Sequence, residues 1–277
     1  MTQNLSHRQR LLILLAMFAV TLLGALFVPP IPQDPHYHDF ADRRALFGVA
    51  NFGDTVSNAG FAVVGLLGLW TVLGPRRRAI FDTGADALPY LVFFLGVGLV
   101  SVGSSYYHLA PGTDRLFWDR LPMTFAFMAL FAAIVADRID RTFGIRLLLP
   151  VLVALGVASP LYWAWTEAHG HGDLRWYGLV QFYPMVALPV ICWLFPQARY
   201  TGGGYLIWIF IWYGLAKLLE YFDAESLRLL GGAVSGHSLK HLAAAMATYV
   251  VLRMIVGNAG KRDMGQVGHD RPNDVHA

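Results

Sequence analysis

Eight apolar runs separated by short polar segments limit what this chain can fold into. They cover residues 11–28, 51–73, 87–108, 121–136, 147–165, 176–195, 205–222 and 236–256. A helix needs about 17–25 apolar residues to cross the hydrocarbon layer of a bilayer. The fourth run is the shortest, and it lengthens if it starts at Phe117. Backbone groups inside a bilayer find no water, so spanning segments must close their hydrogen bonds internally, as helices do. The expected fold is therefore all-α, a polytopic membrane helix bundle.

Charge supports the same reading. Only 14% of the residues are charged, against about 25% in soluble domains. The net charge of +3 does not indicate a nucleic-acid partner, because the basic residues sit in short segments between apolar runs. Cys192 is the only cysteine, which excludes a disulfide framework and a cysteine-based zinc site. Any metal must be held by His, Asp or Glu. No period of 20–50 residues recurs, so a solenoid or repeat array is excluded. The first run is flanked by Arg8 and Arg10, as a secretory signal is. It exceeds the usual 7–15 apolar residues, however, and no small-residue cleavage site follows it. It is read as a retained helix.

Lysine and arginine orient the runs, since cytoplasmic loops carry an excess of both. With the amino terminus inside, the inner segments hold Arg8, Arg10, Arg76–Arg78, Arg138, Arg141, Arg146, Arg199, Arg253, Lys261, Arg262 and Arg271. The outer segments hold Arg43, Arg44, Arg115, Arg120, Arg175 and Arg228. Eight crossings with both termini cytoplasmic fit this bias. His108, Asp119 and His237 then all fall at the outer face.

That coincidence draws attention to the stretch from Ser104 to Met123, SSYYHLAPGTDRLFWDRLPM, and to SGHSLKH downstream. His237 and His241 are spaced i, i+4, so a helix would place them on one face, about 6 Å apart. That spacing suits two imidazoles on one ion, and His108 would add a third nitrogen from another helix. Three protein ligands and one open position are the pattern of a catalytic zinc. The alternative is three hydrogen-bonded polar residues in a bundle. Ser104 lies four residues before His108 and shares its face, as a substrate donor or as a serine packed between helices. Asp119 reads equally as a general base beside the metal or as a helix N-cap, with Pro122 in the first turn. Haem is disfavoured, because two histidines four apart on one helix cannot ligate opposite sides of one iron.

Other polar residues carry less. Asn51, Asp54 and Asn58 line one helix face and suit interhelical hydrogen bonds better than calcium. Lys217, Glu220 and Lys240 are expected to pair with one another. His169 and His171 sit in an exposed loop. Tyr106, Tyr107, Trp118, Trp165 and Trp176 lie where an aromatic belt is expected.

The residues together resemble the alkaline ceramidases, within the wider CREST group of membrane hydrolases and receptors. The resemblance rests on Ser104–His108 as SxxxH, on Asp119 eleven positions further, and on His237–His241 as HxxxH. FGDTVSN at Phe52–Asn58 is similar to the family's FWNTxSN segment. It runs from about His36 to Arg253, and the wording of SGHSLKH and WDRLPM is closest to bacterial members. The resemblance implies a seven-helix core over residues 36–257, preceded by an additional transmembrane helix and linker at 1–35. Residues 258–277 follow as a polar cytoplasmic tail, expected to be disordered. It implies zinc on His108, His237 and His241, with Ser104 and Asp119 assisting hydrolysis of a lipid amide such as ceramide. It also implies a calcium site on the acidic segment, with Asp39 and Asp42 as the candidates. That segment is shortened here, and Arg44 and Asn51 fall near positions where the family has oxygen ligands. The expected partner is a lipid drawn from the bilayer, in a bacterial inner membrane, with the site near the periplasmic face. The competing expectations are a receptor of the adiponectin-receptor type and an ester-cleaving lipid-remodelling hydrolase.

Overall fold

A computed structural model describes residues 5–269, with side chains described up to residue 257. Its elements are helical. α1 is His7–Phe27, α2 Phe52–Val56, α3 Ala59–Leu73 and α4 Arg77–Ile80. α5 is Leu88–Leu109, α6 Thr113–Arg138, α7 Leu149–Ala168 and α8 Arg175–Leu194. α9 is Gly203–Tyr221, α10 Asp223–Leu229 and α11 Gly236–His269. Seven helical segments are long and apolar enough to cross a membrane, with α2 and α3 acting as one span. α9 and α10 together make an eighth candidate, bent by 84°. Large apolar side chains face outward along the spans, Val20, Leu66, Val102, Val186 and Ile207 among them, as a lipid environment allows.

The spans coincide closely with the apolar runs, with one informative exception. α6 begins at Thr113, with Gly112 at its N-cap position. The sequence alone starts this span at Leu121 or Phe117. Its first turns carry Asp114, Arg115, Asp119 and Arg120, which lower the local hydropathy without breaking the helix. Asp119 is therefore not an N-cap, and Pro122 lies inside the helix rather than in its first turn. α11 also runs on as helix to His269, past the apolar run. The expected tail at 258–277 is otherwise beyond the described side chains, and 270–277 lie outside the described residues altogether.

Small residues bring the helices together. Pro122 has no N–H to give the carbonyl of Trp118 one turn earlier. Gly103 of α5 presses against that carbonyl, so closely that a Cβ there would stand 2.0 Å from the oxygen. Its Cα–H points at an acceptor the helix cannot satisfy. Gly96 meets α6 again one heptad earlier, at Pro122 and Ala126. Close backbone approach of this kind drives helix packing where lipid removes the hydrophobic incentive.

The basic loops gather at the end of the bundle opposite the histidines. Arg199 pairs with Asp82 at 2.6 Å, and Arg141 pairs with Asp86. Arg138 caps the carbonyl of Phe195, and Arg10 that of Leu194, both at 2.9 Å. Arg120 departs from the sequence expectation: counted with the outer segments, it lies inside α6 and is 6% exposed. Tyr107, placed in the aromatic belt by sequence, is buried, whereas Trp118 and Trp165 are exposed as expected.

Thr142 and His171 are exposed and lie at opposite ends of the bundle. In a Cys192→Ser background, a cysteine at His171 is expected to react with a membrane-impermeant maleimide in intact cells. A cysteine at Thr142 is expected to react only after lysis. The reverse pattern would invert the orientation.

Candidate metal centre and cavity

α5 and α11 deliver the histidines. His108 stands in the last turn of α5, and His237 and His241 in the first two turns of α11. All three are buried. Their ring centroids form a near-equilateral triangle with sides of 4.8, 4.9 and 5.0 Å. One nitrogen from each ring lies within 4.8 Å of the others, and this is the one such group of three metal-ligating side chains found among the described residues. His108 Nε2 and His237 Nε2 face each other at 3.3 Å. Nitrogens bound at 2.0–2.1 Å to a tetrahedral ion stand roughly 3.3–3.4 Å apart, so the donor set fits zinc.

The surroundings set the His241 ring for that role, while the buried His108 Nδ1 has no hydrogen-bond partner. Ser57 Oγ donates to the carbonyl of Asp54 at 3.2 Å and lies 2.8 Å from His241 Nδ1. A hydroxyl has one proton to give; with it on the Asp54 carbonyl, Ser57 accepts from His241 Nδ1–H. Nε2 of His241 is thereby left with its lone pair for a metal, as outer partners of metal-bound histidines arrange. Asn51 Nδ2 donates to the carbonyl of His108 at 2.7 Å. Asp223, at the bend between α9 and α10, accepts from the N–H of His237 at 2.8 Å and from that of Ala41 at 3.0 Å. It thus satisfies the free donor at the start of α11 and ties it to the segment before α2. The bend lets Gly236 nest against the carbonyls of Leu219 and Phe222, where a side chain would not fit.

That preceding segment closes the site. Phe40 lies against the rings of His237 and His108, at 4.3 and 4.8 Å between centroids. His38 is fastened by Tyr107 Oη at 2.8 Å and Thr113 Oγ1 at 3.1 Å. Asp54, buried in α2, accepts from the hydroxyls of Ser235 and Ser238 at 2.9 and 2.7 Å. Asn51 and Asp54 thus make the interhelical hydrogen bonds the sequence suggested, whereas Asn58 donates to the carbonyls of Asp54 and Thr55 in its own segment.

Asp39 and Asp42 lie on the same segment but are not brought together as ligands. Arg44 grips both oxygens of Asp42, at 2.8 and 2.7 Å, and also the carbonyl of Ala233. These hydrogen bonds hold the Asp42 carboxyl below the usual carboxylate range. Asp39 is exposed and pairs with Arg43 and His36. Calcium takes 6–8 oxygen ligands, and this arginine-neutralised pair does not fit it.

A cavity of about 190 Å³ opens beneath the histidines. His241, Ser104 and Asp119 line its upper wall, and Ser104 is a hydrogen-bond partner of the Asp119 carboxyl. Lys217 and Lys240 also line it, each bound to Glu220, at 2.6 and 2.7 Å. Further down the wall is apolar, with Val97, Val100, Leu130 and Val251.

Ser57, Asp223 and Phe40 were not singled out by sequence reasoning. Ser57 lies within FGDTVSN, which offered a signal. Asp223 and Phe40 act through the bend and the strap, and no spacing announces either.

A multi-pass helical membrane protein with three buried histidines over a partly apolar cavity is the class these features define. A family model described as Ceramidase matches residues 45–188, just over half of the 277 residues. The chain belongs to the ceramidase family. The matched segment contains Ser104, His108 and Asp119, and the fold adds His237 and His241 from beyond it. Membership supports a ceramidase-like hydrolase acting on an amide bond. No curated protein matches the chain.

Dialysed protein is expected to take up about one Zn²⁺ per chain, as a three-histidine site would. His241→Ala is expected to lose most of that zinc, measured by metal analysis after desalting; full occupancy would remove His241 from the site. Unfolding temperatures in calcium and in EGTA are expected to coincide. A clear calcium-dependent rise would show that the Asp42–Arg44 pair yields to the ion.

Proposed function

We propose that this protein is a zinc-dependent membrane amidase, ceramidase-like, that cleaves an N-acyl lipid into a fatty acid and an amine. The observation that carries the reading is the buried triangle of His108, His237 and His241 above a cavity shared with Asp119. When bound, zinc supplies a water acidic enough to attack at neutral pH and a Lewis acid for the carbonyl.

The chain's own residues do the rest. The three imidazoles would hold the metal, with Ser57 Oγ against Nδ1 of His241. Asp119 takes the proton from the attacking water as the C–O bond forms and returns it to the leaving nitrogen, whose C–N bond then breaks. Ser104 donates to the Asp119 carboxylate first; once Asp119 holds the proton of the water, the one Ser104 hydroxyl proton turns to the oxygen on which charge has developed. The apolar lower cavity receives the acyl chain, and the Phe40 strap keeps bulk water off the histidines. A core of residues 36–257 in a bacterial inner membrane follows from the resemblance, and the positive-inside bias supports this end facing the periplasm.

Asp119→Asn cannot accept the proton. Turnover of a fluorescent lipid amide is expected to fall roughly 10²–10⁴-fold, with zinc content near wild type. Undiminished turnover in a zinc-loaded Asp119→Asn protein would end the general-base assignment. Ser104→Ala is expected to cost less than or about as much as Asp119→Asn, because the metal remains.

A further inference from the structure

Arg120 follows Asp119 in α6, and the reaction proposed above leaves it unused. It is a buried cation that lines the cavity. Its guanidinium carbon lies 4.4 Å from the ring centroid of Trp163, 5.0 Å from Tyr177 and 5.4 Å from Tyr37. No ion pair involves Arg120 among the described residues. Its buried Nη1 has no hydrogen-bond partner.

This is an unusual state for a guanidinium. A buried charge is costly unless it is paired and hydrogen-bonded. Ring faces attract the cation, but they do not satisfy five N–H donors. The rings come from α7, α8 and the segment before α2, so three separate elements hold the side chain in place. Arg120 thus brings to the cavity wall a fixed positive charge whose buried Nη1 lacks an acceptor. A planar fork of this kind matches a two-oxygen acceptor, such as a carboxylate, phosphate or sulfonate.

The rest of the cavity narrows the choice. Arg120, Lys217 and Lys240 face Glu220 and Asp119 around its polar part, an excess of positive charge. Glu220 is already shared by the two lysines, and Asp119 is a partner of Ser104. A neutral lipid amide would leave Arg120 as the structure shows it, without an anion. An acidic head group would supply the missing partner while the acyl chain lies along Val97, Leu130 and Val251.

We propose that Arg120 binds an oxyanion on the head group of the lipid, so that the preferred substrates are N-acyl lipids with an acidic head group. The inference rests on the hydrolase reading above. The carboxylate released by hydrolysis is the same chemistry from a second source, and the experiment separates the two.

Zinc-loaded full-length protein in mixed micelles is given two fluorescent lipid amides in competition. They share one acyl chain; one carries a carboxylate head group, the other a neutral hydroxyl. The ratio of their kcat/KM values is independent of the fraction of protein that is folded. Wild type is expected to favour the acidic substrate roughly 10–100-fold, the scale of a charged hydrogen bond. Arg120→Gln is expected to bring the ratio near one, and Arg120→Lys to an intermediate value, since it keeps the charge without the fork. A wild-type ratio near one, or a ratio unchanged in Arg120→Gln, overturns the assignment. So does an Arg120→Gln protein that only escapes inhibition by added free fatty acid, which would make the released carboxylate the ligand. If wild type cleaves neither lipid, the hydrolase reading has failed, and Arg120 is judged by thermal stabilisation with an uncleavable acidic analogue. Stabilisation of wild type but not of Arg120→Gln supports the assignment; equal or absent stabilisation overturns it.

Discussion

Gly103 and the carbonyl of Trp118 form the contact on which the site's geometry depends. Pro122 withholds a donor from that carbonyl, and a glycine without Cβ lets α5 approach near enough to face it. The cost of an unsatisfied carbonyl in hydrocarbon is thereby reduced where two helices need to be closest. The consequences run outward in both chains. Ser104 follows Gly103, and His108 lies one turn further. Asp119 follows Trp118, and Arg120 comes next. Any residue larger than glycine at 103 would move all four of these side chains at once.

The histidines carry the opposite requirement, which is exclusion rather than contact. Three imidazoles brought together in the bundle must lose their water, and several elements accomplish this. Phe40 covers two of the rings from the segment before α2. Asp223 fixes the start of α11 through the backbone of His237. Asn51 holds the carbonyl of His108. Each is an ordinary hydrogen bond or ring contact, worth on the order of 1 kcal/mol net. Their joint effect is to hold one nitrogen from each of three imidazoles within 4.8 Å of the others, an arrangement that could hold a metal and that rigid helices preorganise. Arg44 serves the same enclosure by tying Asp42 to the carbonyl of Ala233, close to where α11 begins.

The spans were legible because their physical basis is local. A run of about twenty apolar residues has one economical conformation in a bilayer, so the sequence and the structure agree to within a few residues at most ends. The first turns of α6 were misjudged for the same reason. Asp114, Arg115, Asp119 and Arg120 break the hydropathy of the run, although each is helical. Pro122 then resembles a proline of the first turn rather than one nine residues inside the helix. The error mattered, because it kept a capping role open for Asp119 that the structure removes. It also placed Arg120 among loop charges, when three aromatic rings from distant parts of the chain enclose it.

Residue identity and spacing therefore determined the helices and the candidate metal-holding histidines. SxxxH, HxxxH and the aspartate between them need only a helix to be placed on common faces, and periodicity supplies it. The triangle of imidazole rings, the Ser57–His241 contact, the bend at Asp223 and the cage around Arg120 were decided by tertiary structure alone. Each joins residues far apart in the chain, across helix interfaces whose distances are set by which small residues and freed carbonyls meet. A one-dimensional pattern carries no record of those meetings. The same limit applies to Asp42, whose carboxylate reads as a candidate for calcium until the fold shows Arg44 gripping both of its oxygens.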